Sequence, residues 1–527
     1  MCRAGSRESP LLASATYTHR DETANCSAMP LRPPTKAIFA DLGDELFLDL
    51  TDEELEYFVE LATAKRDAYE TVMRYEPTPR LGGTERRERS GGTRVPPEEN
   101  PHNAWVSACY VGGDDSGDLS DWEIGIKDNV SVAGVEMTCG SQVVAGYVPN
   151  RDATIVTRLL EAGADIVGKT NMDDMAMTST GHSAFGPITN PHDDAYLAGG
   201  SSGGSAVAVA RGEVDAAIGS DQGGSVRVPA AFCGIVGHKP TYGLVPYTGC
   251  IGIEHAIDHP GPMAADVETV ARLLTVIAGS NERDLRSHAP VPTERYENAL
   301  DGDISDLTIG VLEEGFDIDG ANEAVLETVR DSIDDLEAAG ATIEDVSVPM
   351  HADAKDIHDV CTSEGLLDAM LGEGLGHGWK AWYNQSWIEA FGKARRAQSN
   401  DLPARLKLLL LMGAYTNSEY HSRYYAQGMN LVVELTERYD AVLETVDLLA
   451  MPTAVTKPPE HDSDRDQYDR LQETDLLHNA TPFNRTGHPG ISIPAGPVDG
   501  LPTGLMLVGH RFDDATVLNA ASVLESR

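Results

Sequence analysis

The segments GGSSGGS at residues 199–205 and GSDQGGS at residues 219–225 decide the interpretation of this chain. Between them, Ala206–Ala210 is an apolar run that predicts a short buried helix, and Val214–Ile218 predicts a strand. The order loop, helix, strand, loop brings both segments to one edge of a sheet, where glycines leave backbone N–H groups unscreened. We therefore expect a single site built from two serine-bearing loops.

A serine hydroxyl becomes a useful nucleophile only when a base takes its proton. Lysine is scarce here, with ten Lys against thirty Arg, yet Lys127 stands between apolar residues in GIKDNV at 125–130. A desolvated lysine has a lowered pKa and can act as a neutral base. Lys127 is therefore a candidate base, and a surface lysine at a strand end is the alternative interpretation.

The stretch DQGGS at residues 221–225 is a candidate oxyanion site. Residues without side chains let several backbone amides converge on one point, and such a group of donors stabilises the anion of a tetrahedral intermediate. A tight structural turn is the alternative interpretation of the same residues.

The region 199–243 resembles the amidase signature family, most clearly in SVRVPAAFCG at 225–234 and HKPT at 238–241. The resemblance extends from about residue 100 to the C-terminus. It implies an α/β fold with a large mixed central sheet covered by helices. It also implies hydrolysis of carboxamides through an acyl-enzyme, with no cofactor and no metal.

The resemblance assigns roles to particular residues through a Ser-cisSer-Lys triad. Ser225 matches the nucleophile, Ser201 matches the bridging serine after a cis Gly200–Ser201 peptide, and Lys127 matches the base. The amides expected to hold the oxyanion are those of Gln222, Gly223, Gly224 and Ser225.

Within the family, the chain looks most similar to the nitrile-hydratase-associated, enantioselective amidases. Gln222 and the stretches GLVPYTG at 243–249, IDHPGP at 257–262 and FDDAT at 512–516 carry this likeness. We expect an amidase that converts a carboxamide to the carboxylate and ammonia. The alternatives are the A subunit of a tRNA-dependent amidotransferase, which usually carries Thr in place of Gln222, and a catalytically silent scaffold, which the intact triad disfavours.

Two other motifs match a pattern without its structural context, and a metal-binding motif is absent. GADIVGKT at 163–170 fits the phosphate-loop expression, but a predicted helix at 154–162 precedes a predicted strand at 164–167, which reverses the required order. Residues 199–203 fit G-x-S-x-G without a clear strand before them. The sixteen histidines include no H-E-x-x-H motif, and no metal site is expected.

The chain of 527 residues has 84 acidic and 40 basic side chains, a formal net charge of −44. Acidity spread along the chain is typical of halophilic proteins, which work where salt screens self-repulsion; an unusually acidic mesophilic enzyme is the alternative. Such a surface disfavours nucleic acid and anionic membranes as partners at low salt. The expected partner is a small-molecule amide, and the resemblance to the family also implies that the chain forms a homodimer.

The seven scattered cysteines form no CxxC pair, which indicates free thiols in a reducing cytoplasm. The sequence has no apolar run of 18 residues and no secretory signal pattern. We therefore expect a cytoplasmic protein.

The chain divides into several predicted regions. Residues 1–28 are predicted to be disordered or not translated, and residues 29–85 to form an N-terminal helical region that contains a capping box at Thr51–Glu54. Residues 86–103 are predicted to be a linker. Residues 104–527 are assigned to the catalytic domain, with a smaller helical region at about 315–445 that lines the acyl pocket.

Overall fold

Strands and helices alternate along most of the chain, which we describe from a computed structural model. The structure describes residues 31–74, 87–287, 290–378, 381–468, 471 and 475–525. The strands are β1 (Arg89–Arg94), β2 (Trp105–Val111), β3 (Glu123–Lys127), β4 (Asp165–Thr170), β5 (His182–Ser183), β6 (Gly186–Pro187), β7 (Ala216–Asp221), β8 (Val236–Lys239), β9 (His259–Ala264), β10 (Thr308–Leu312), β11 (Thr342–Val346), β12 (Leu448–Pro452), β13 (Gly490–Val498) and β14 (Leu501–Gly509). The helices are α1 (Lys36–Glu45), α2 (Asp52–Ala64), α3 (Arg66–Arg74), α4 (Thr154–Glu161), α5 (Gly203–Ala210), α6 (Arg227–Cys233), α7 (Val267–Ile277), α8 (Glu323–Ala338), α9 (Ala354–Leu371), α10 (Gln385–Ala397), α11 (Ala404–Tyr420), α12 (Arg423–Leu443), α13 (Pro482–Thr486) and α14 (Asp514–Glu525).

Twelve of the strands in the described residues form one mixed sheet in the order β1-β2-β4-β3-β7-β9-β8-β13-β14-β12-β10-β11. The pairs β3–β4, β3–β7, β10–β11 and β10–β12 are parallel, and the other pairs in this sheet are antiparallel. A large mixed sheet with helices packed against it confirms the predicted fold class.

Helices cover both faces of this sheet. Ala216 and Ile218 of β7 join the cluster that holds the apolar residues of α4, α7, α8 and α14. Ala217, between them, joins a second cluster with α5 and α6. Because successive strand residues point to opposite faces, the two clusters lie on the two sides of the sheet.

The predicted elements between the two serine loops are present. The apolar run after the first loop forms α5, and the predicted strand forms β7, which ends at Asp221. Both are buried along nearly their whole length. The predicted order of loop, helix, strand and loop is therefore confirmed.

The described residues 31–74 belong to one compact unit, and the described residues from 87 onward belong to a second. The described part of the first unit consists of α1–α3, and the predicted capping box at the start of α2 is present, with Thr51 and Glu54 bonding each other's backbone amides. The helical stretch that begins at this capping box is divided at Lys65 into α2 and α3. The prediction for residues 1–28 lies outside the described residues.

The predicted linker at 86–103 contributes a strand instead. Residues 89–94 form β1, which pairs antiparallel with β2 at the end of the sheet. The Arg89 guanidinium donates to the buried Asp152 carboxylate (3.1 Å), and the Tyr110 amide donates to Ser90 Oγ (2.8 Å). The glycine- and arginine-rich composition conceals this strand because backbone pairing and the arginine, not apolar side chains, hold it in place.

The region 315–445 is largely helical, as expected, and contains α8–α12. Asn322 caps α8 by accepting from the amides of Ala324 and Val325. The region also contains β11, which runs parallel to β10 and completes one end of the sheet. No helix in the described ranges is long and apolar enough to cross a membrane.

Candidate active site

The two serine loops and Lys127 meet at one edge of the sheet. Lys127 is the last residue of β3, which runs parallel to β7, with Ile126 opposite Ile218. The second loop leaves the same end of β7, and α5 returns along the sheet so that the first loop precedes its N-terminus. The Ser202 amide donates to the Ser225 carbonyl oxygen (3.1 Å) and joins the two loops directly.

Glycines in the first loop allow this close approach. A Cβ on Gly204 would collide with the backbone carbonyl oxygens of Ala104 and Asn171, and one on Gly200 would collide with the Asp173 carboxylate. Any larger residue at either position would force the loop away from the sheet edge. The repeated glycines are therefore required by packing as well as by turn geometry.

Lys127 is completely buried and faces hydroxyl groups. Its Nζ donates to Ser201 Oγ (2.9 Å), to Ser202 Oγ (2.8 Å) and to the carbonyl oxygen of Ser220 (3.1 Å). The peptide bond between Gly200 and Ser201 is cis. The structure thus brings Lys127 and Ser201 into direct contact and excludes the alternative of a surface lysine.

Ser202 is a member of this network that the sequence pattern does not single out. Its hydroxyl contacts Lys127, donates to the Ser220 carbonyl oxygen (3.1 Å) and accepts from the Ser220 amide (3.2 Å). The run Ser201-Ser202 offers two hydroxyls next to each other, and the sequence alone does not show that both reach the lysine.

Ser225 is nearly buried, with 5% of its surface exposed. Among the described residues no hydrogen bond joins its hydroxyl to that of Ser201, and the backbone bond from the Ser202 amide to the Ser225 carbonyl oxygen is the link between the two loops. The Gly224 amide donates to Asp221 Oδ1 (2.6 Å) and is already engaged. Within the described part of the chain, the amides of Gln222, Gly223 and Ser225 have no protein acceptor.

Asp221 fixes the shape of the second loop. Besides the Gly224 amide, its carboxylate accepts from the Val226 amide (3.1 Å), from Nε and Nη2 of buried Arg227 (both 3.0 Å) and from Asn484 Nδ2 (2.9 Å). Burial alone would raise the pKa of Asp221, but the Arg227 charge outweighs it and holds the pKa below its ordinary value. The loop is thus built around an ionised carboxylate.

Burial lowers the pKa of Lys127 to about 7, against the opposing effect of the negative charges of Asp173 and Asp221. Asp173 is itself buried, and burial raises the pKa of its carboxyl to about 6. A lysine with a pKa near 7 is neutral in a large fraction of molecules at neutral pH and can accept a proton.

A cavity of about 60 Å³ lies beside Ser225. The second loop forms one wall, and helices α9 and α11 of the region 315–445 form another. The lining residues are Ala176, Met177, Ser179, Gln222, Gly223, Ser225, Ile253, Ile257, Lys355, His358, Asp359, Thr362, Arg405, Leu409, Leu477 and Thr481.

A second, smaller cavity of about 20 Å³ adjoins the first and is mostly apolar. The two cavities share the side chains of Ala176, Met177, Gln222 and Ile253. The second is further lined by Asn129, Cys139, Met172, Met175, Ile251, Gly252, Leu366, Met370, Gly374, Trp387 and Phe391. Apolar space of this kind suits an apolar group of a small molecule.

The structure confirms that residues 163–170 do not form a phosphate loop. Lys169 lies inside β4, is completely buried, and pairs with Asp128 (3.2 Å) while donating to the Val130 carbonyl oxygen (2.7 Å). Its ammonium group therefore has structural partners in place of a nucleotide. Within the described residues there is no group of three or more side chains suited to hold a metal ion.

Comparison with protein families and curated proteins supplies independent findings. The family model described as Amidase matches residues 106–518. The enantioselective amidase of Rhodococcus rhodochrous is 39% identical over 503 residues, which are 93% of this chain and 95% of that protein. The A subunit of glutamyl-tRNA(Gln) amidotransferase from Natronomonas pharaonis is 42% identical over 427 residues, which are 80% of this chain and 99% of that protein.

Solved structures show the same two kinds of relative. The A subunit of glutamyl-tRNA(Gln) amidotransferase from Thermotoga maritima superposes with a TM-score of 0.66 at 30% identity, covering 81% of this chain and 88% of that one. The native peptide amidase of Stenotrophomonas maltophilia superposes with a TM-score of 0.64 at 27% identity, covering 78% and 83%.

Proposed function

Because the chain belongs to the amidase signature family and is a hydrolase of amide carbon–nitrogen bonds, we propose that it is a stand-alone amidase for carboxamides with an apolar acyl group. The observation that carries this proposal is the direct bond between buried Lys127 and Ser201, at the sheet edge that also holds Ser225 and the apolar cavity. The products would be the carboxylate and ammonia.

In the first half of the proposed reaction, Ser225 Oγ attacks the amide carbonyl carbon. Its proton passes to Ser201, whose own proton passes to neutral Lys127. The amides of Gln222, Gly223 and Ser225 are the candidates to hold the oxyanion, since the Gly224 amide is engaged by Asp221. The fourth amide predicted from the sequence thus contributes by shaping the loop.

In the second half, the tetrahedral intermediate collapses and the carbon–nitrogen bond breaks. The proton on Lys127 returns through Ser201 to the leaving nitrogen, which departs as ammonia. Water then attacks the acyl-enzyme by the same proton route, releases the carboxylic acid and restores the Ser225 hydroxyl. The lysine ends each half-reaction neutral.

The shape and lining of the two cavities support an apolar acyl group. Trp387 and Phe391 stack with ring centroids 5.2 Å apart in the wall of the second cavity, and four methionines lie around them. Aromatic rings and thioethers attract apolar, polarisable groups. The similarity to the Rhodococcus amidase over 93% of the chain, against 80% for the Natronomonas protein, supports the same proposal.

The second candidate function is the A subunit of a glutamine-dependent amidotransferase. The 42% identity to the Natronomonas protein, over 99% of its length, favours it. A protein of this kind would release ammonia from glutamine and depend on partner subunits.

Ammonia release by the purified chain separates the two functions. The panel contains 3-phenylpropanamide, benzamide, propionamide and glutamine, assayed in concentrated salt without other proteins. Turnover of the aromatic amides by the chain alone is the expected result. Activity confined to glutamine, or activity that appears only with partner subunits, would contradict the proposal and support the second candidate.

A further inference from the structure

The side chain of Gln222 has a feature that the reaction as described does not use. It precedes the Gly223-Gly224-Ser225 loop, is only 3% exposed, and lines both cavities. Its carbonyl oxygen Oε1 is buried and has no hydrogen-bond partner among the described residues. An amide oxygen buried without a donor destabilises the protein, unless a ligand supplies the donor.

The orientation of this amide follows from its neighbours. Gln222 Nε2 lies 3.0 Å from the Tyr247 hydroxyl oxygen, which lies 3.2 Å from the carbonyl oxygen of Ile251. In this structure the Tyr247 hydroxyl donates to the Ile251 carbonyl oxygen and accepts from Gln222 Nε2. This arrangement leaves Oε1 as the unsatisfied end of the amide.

Tyr247 is itself held firmly, so the orientation of Gln222 is stable. The Tyr247 amide donates to Asp284 (2.6 Å), and the Arg286 guanidinium lies 4.7 Å from the centre of its ring. Burial raises the pKa of the phenol well above its ordinary value, so it keeps the hydrogen that it gives to Ile251. Tyr247 therefore acts as a clamp on the Gln222 amide, and Oε1 is a fixed acceptor beside the proposed nucleophile Ser225.

We propose that Gln222 Oε1 accepts a hydrogen bond from the N–H of the scissile carboxamide and thereby selects amides that carry an N–H over esters and over N,N-disubstituted amides. The inference rests on the proposed amide hydrolysis. A carboxamide nitrogen supplies the missing donor, whereas the alkoxy oxygen of an ester offers only lone pairs to Oε1. A site built to bond an N–H rejects an analogue that lacks it, because the buried acceptor is then left unpaired.

Gln222 is a specificity-determining residue in this account. The bond to Oε1 orients the carbonyl carbon toward Ser225 and is present in both the bound substrate and the transition state. Proton delivery to the nitrogen still comes from Ser201, and no covalent bond to Gln222 forms. Removal of the acceptor should thus change which acyl derivatives react and leave the serine and lysine chemistry intact.

The test compares paired substrates that differ only in the leaving group: 3-phenylpropanamide against methyl 3-phenylpropanoate, and glutamine against its γ-methyl ester. Gln222→Met preserves the length of the side chain and removes the acceptor. Tyr247→Phe keeps the acceptor and removes its clamp. Gln427→Leu, at an exposed position on α12, is the matched control.

We expect Gln222→Met to lower kcat/KM for the amide about 10- to 100-fold while kcat/KM for the ester stays within about twofold. Tyr247→Phe should lower the amide-to-ester ratio less, and Gln427→Leu should not change it. Equal losses on amide and ester in Gln222→Met, or an unchanged ratio in both site variants, would overturn the inference. If the wild type turned over only glutamine and its γ-methyl ester, the proposal of an apolar acyl group would be wrong. The amide-to-ester ratio of kcat/KM would then be measured on that pair, so the role of Gln222 would still be tested.

Discussion

Lys127 and Lys239 are two buried lysines that differ in what surrounds their amines. Each is the last residue of a strand, β3 and β8, and each is completely buried. Burial lowers the pKa of both to about 7. By burial and pKa alone, the two residues are equally good candidates for a neutral base.

Their hydrogen-bond partners separate them. Lys127 Nζ bonds the hydroxyls of Ser201 and Ser202, whereas Lys239 Nζ donates to the carbonyl oxygens of Pro240 (3.2 Å) and His488 (2.5 Å). A hydroxyl can give up a proton and regain it, and a carbonyl oxygen can only accept a hydrogen bond. A lowered pKa permits a lysine to act as a base, and a partner that can exchange a proton makes it one.

The largest expected effect is that of removing the Lys127 amine. Lys127→Met should lower kcat by about 10³-fold or more, because the relay loses its proton acceptor. Lys239→Met should keep kcat within about threefold and lower the free energy of unfolding by about 1–3 kcal/mol for each carbonyl oxygen left unpaired. Steady-state kinetics and urea unfolding of the two variants measure both quantities.

The opposite result for the two lysine variants would contradict this distinction. If Lys127→Met kept most of its activity and Lys239→Met lost it while remaining folded, the partner-based distinction between the two lysines would be wrong.

An intermediate effect is expected at Ser202, the additional hydroxyl at Lys127. Ser202→Ala removes one bond to the amine and two to Ser220. Because Ser201 keeps its own bond to Lys127, kcat should fall only about 10- to 100-fold, less than in Ser201→Ala. Kinetics of the two alanine variants side by side provide the measurement, and a larger loss in Ser202→Ala would make Ser202 the principal proton carrier.

Sequence patterns single out residues that the structure brings together, because these residues lie in short segments with a recognisable composition. The glycines of both loops, the strand ends and Lys127 are all visible as patterns at particular positions, and the structure places Lys127 against Ser201. The choice between Ser201 and Ser202 as partners of the lysine is not visible, because neighbouring identical residues differ only in orientation. In the structure both hydroxyls bond Lys127 Nζ.

Long-range partners cannot be predicted from pattern. Asn484 bonds Asp221 from a position 263 residues away in the chain. Arg227 is visible in the sequence as part of the signature, but its ion pair with Asp221 is not. The apolar cavity draws its walls from α9, α10 and separate loops, so no single segment shows it. Within the predicted linker at 86–103, the strand at residues 89–94 could not be predicted, because it depends on pairing with β2.

A smaller effect is expected in the pH dependence. Lys127 must be neutral to accept a proton, so kcat/KM of the wild type should rise with pH through an acid limb near the Lys127 pKa of about 7. Asp173→Asn removes a negative charge that raises this pKa, so the limb should move to lower pH. If the limb stays in place or moves to higher pH, the titration of Lys127 is not its cause. Asp345→Asn, at an exposed position on β11, is the control and should leave the limb unmoved.

Trapping the acyl-enzyme shows which residue is acylated during turnover, which the proposed reaction assigns to Ser225. The protein is acid-quenched during turnover of 3-phenylpropanamide, digested, and mapped by mass spectrometry. We expect a 3-phenylpropanoyl group on Ser225, present in the wild type and absent in Ser225→Ala. An acyl group on Ser201 or Ser202 in the wild type would contradict it.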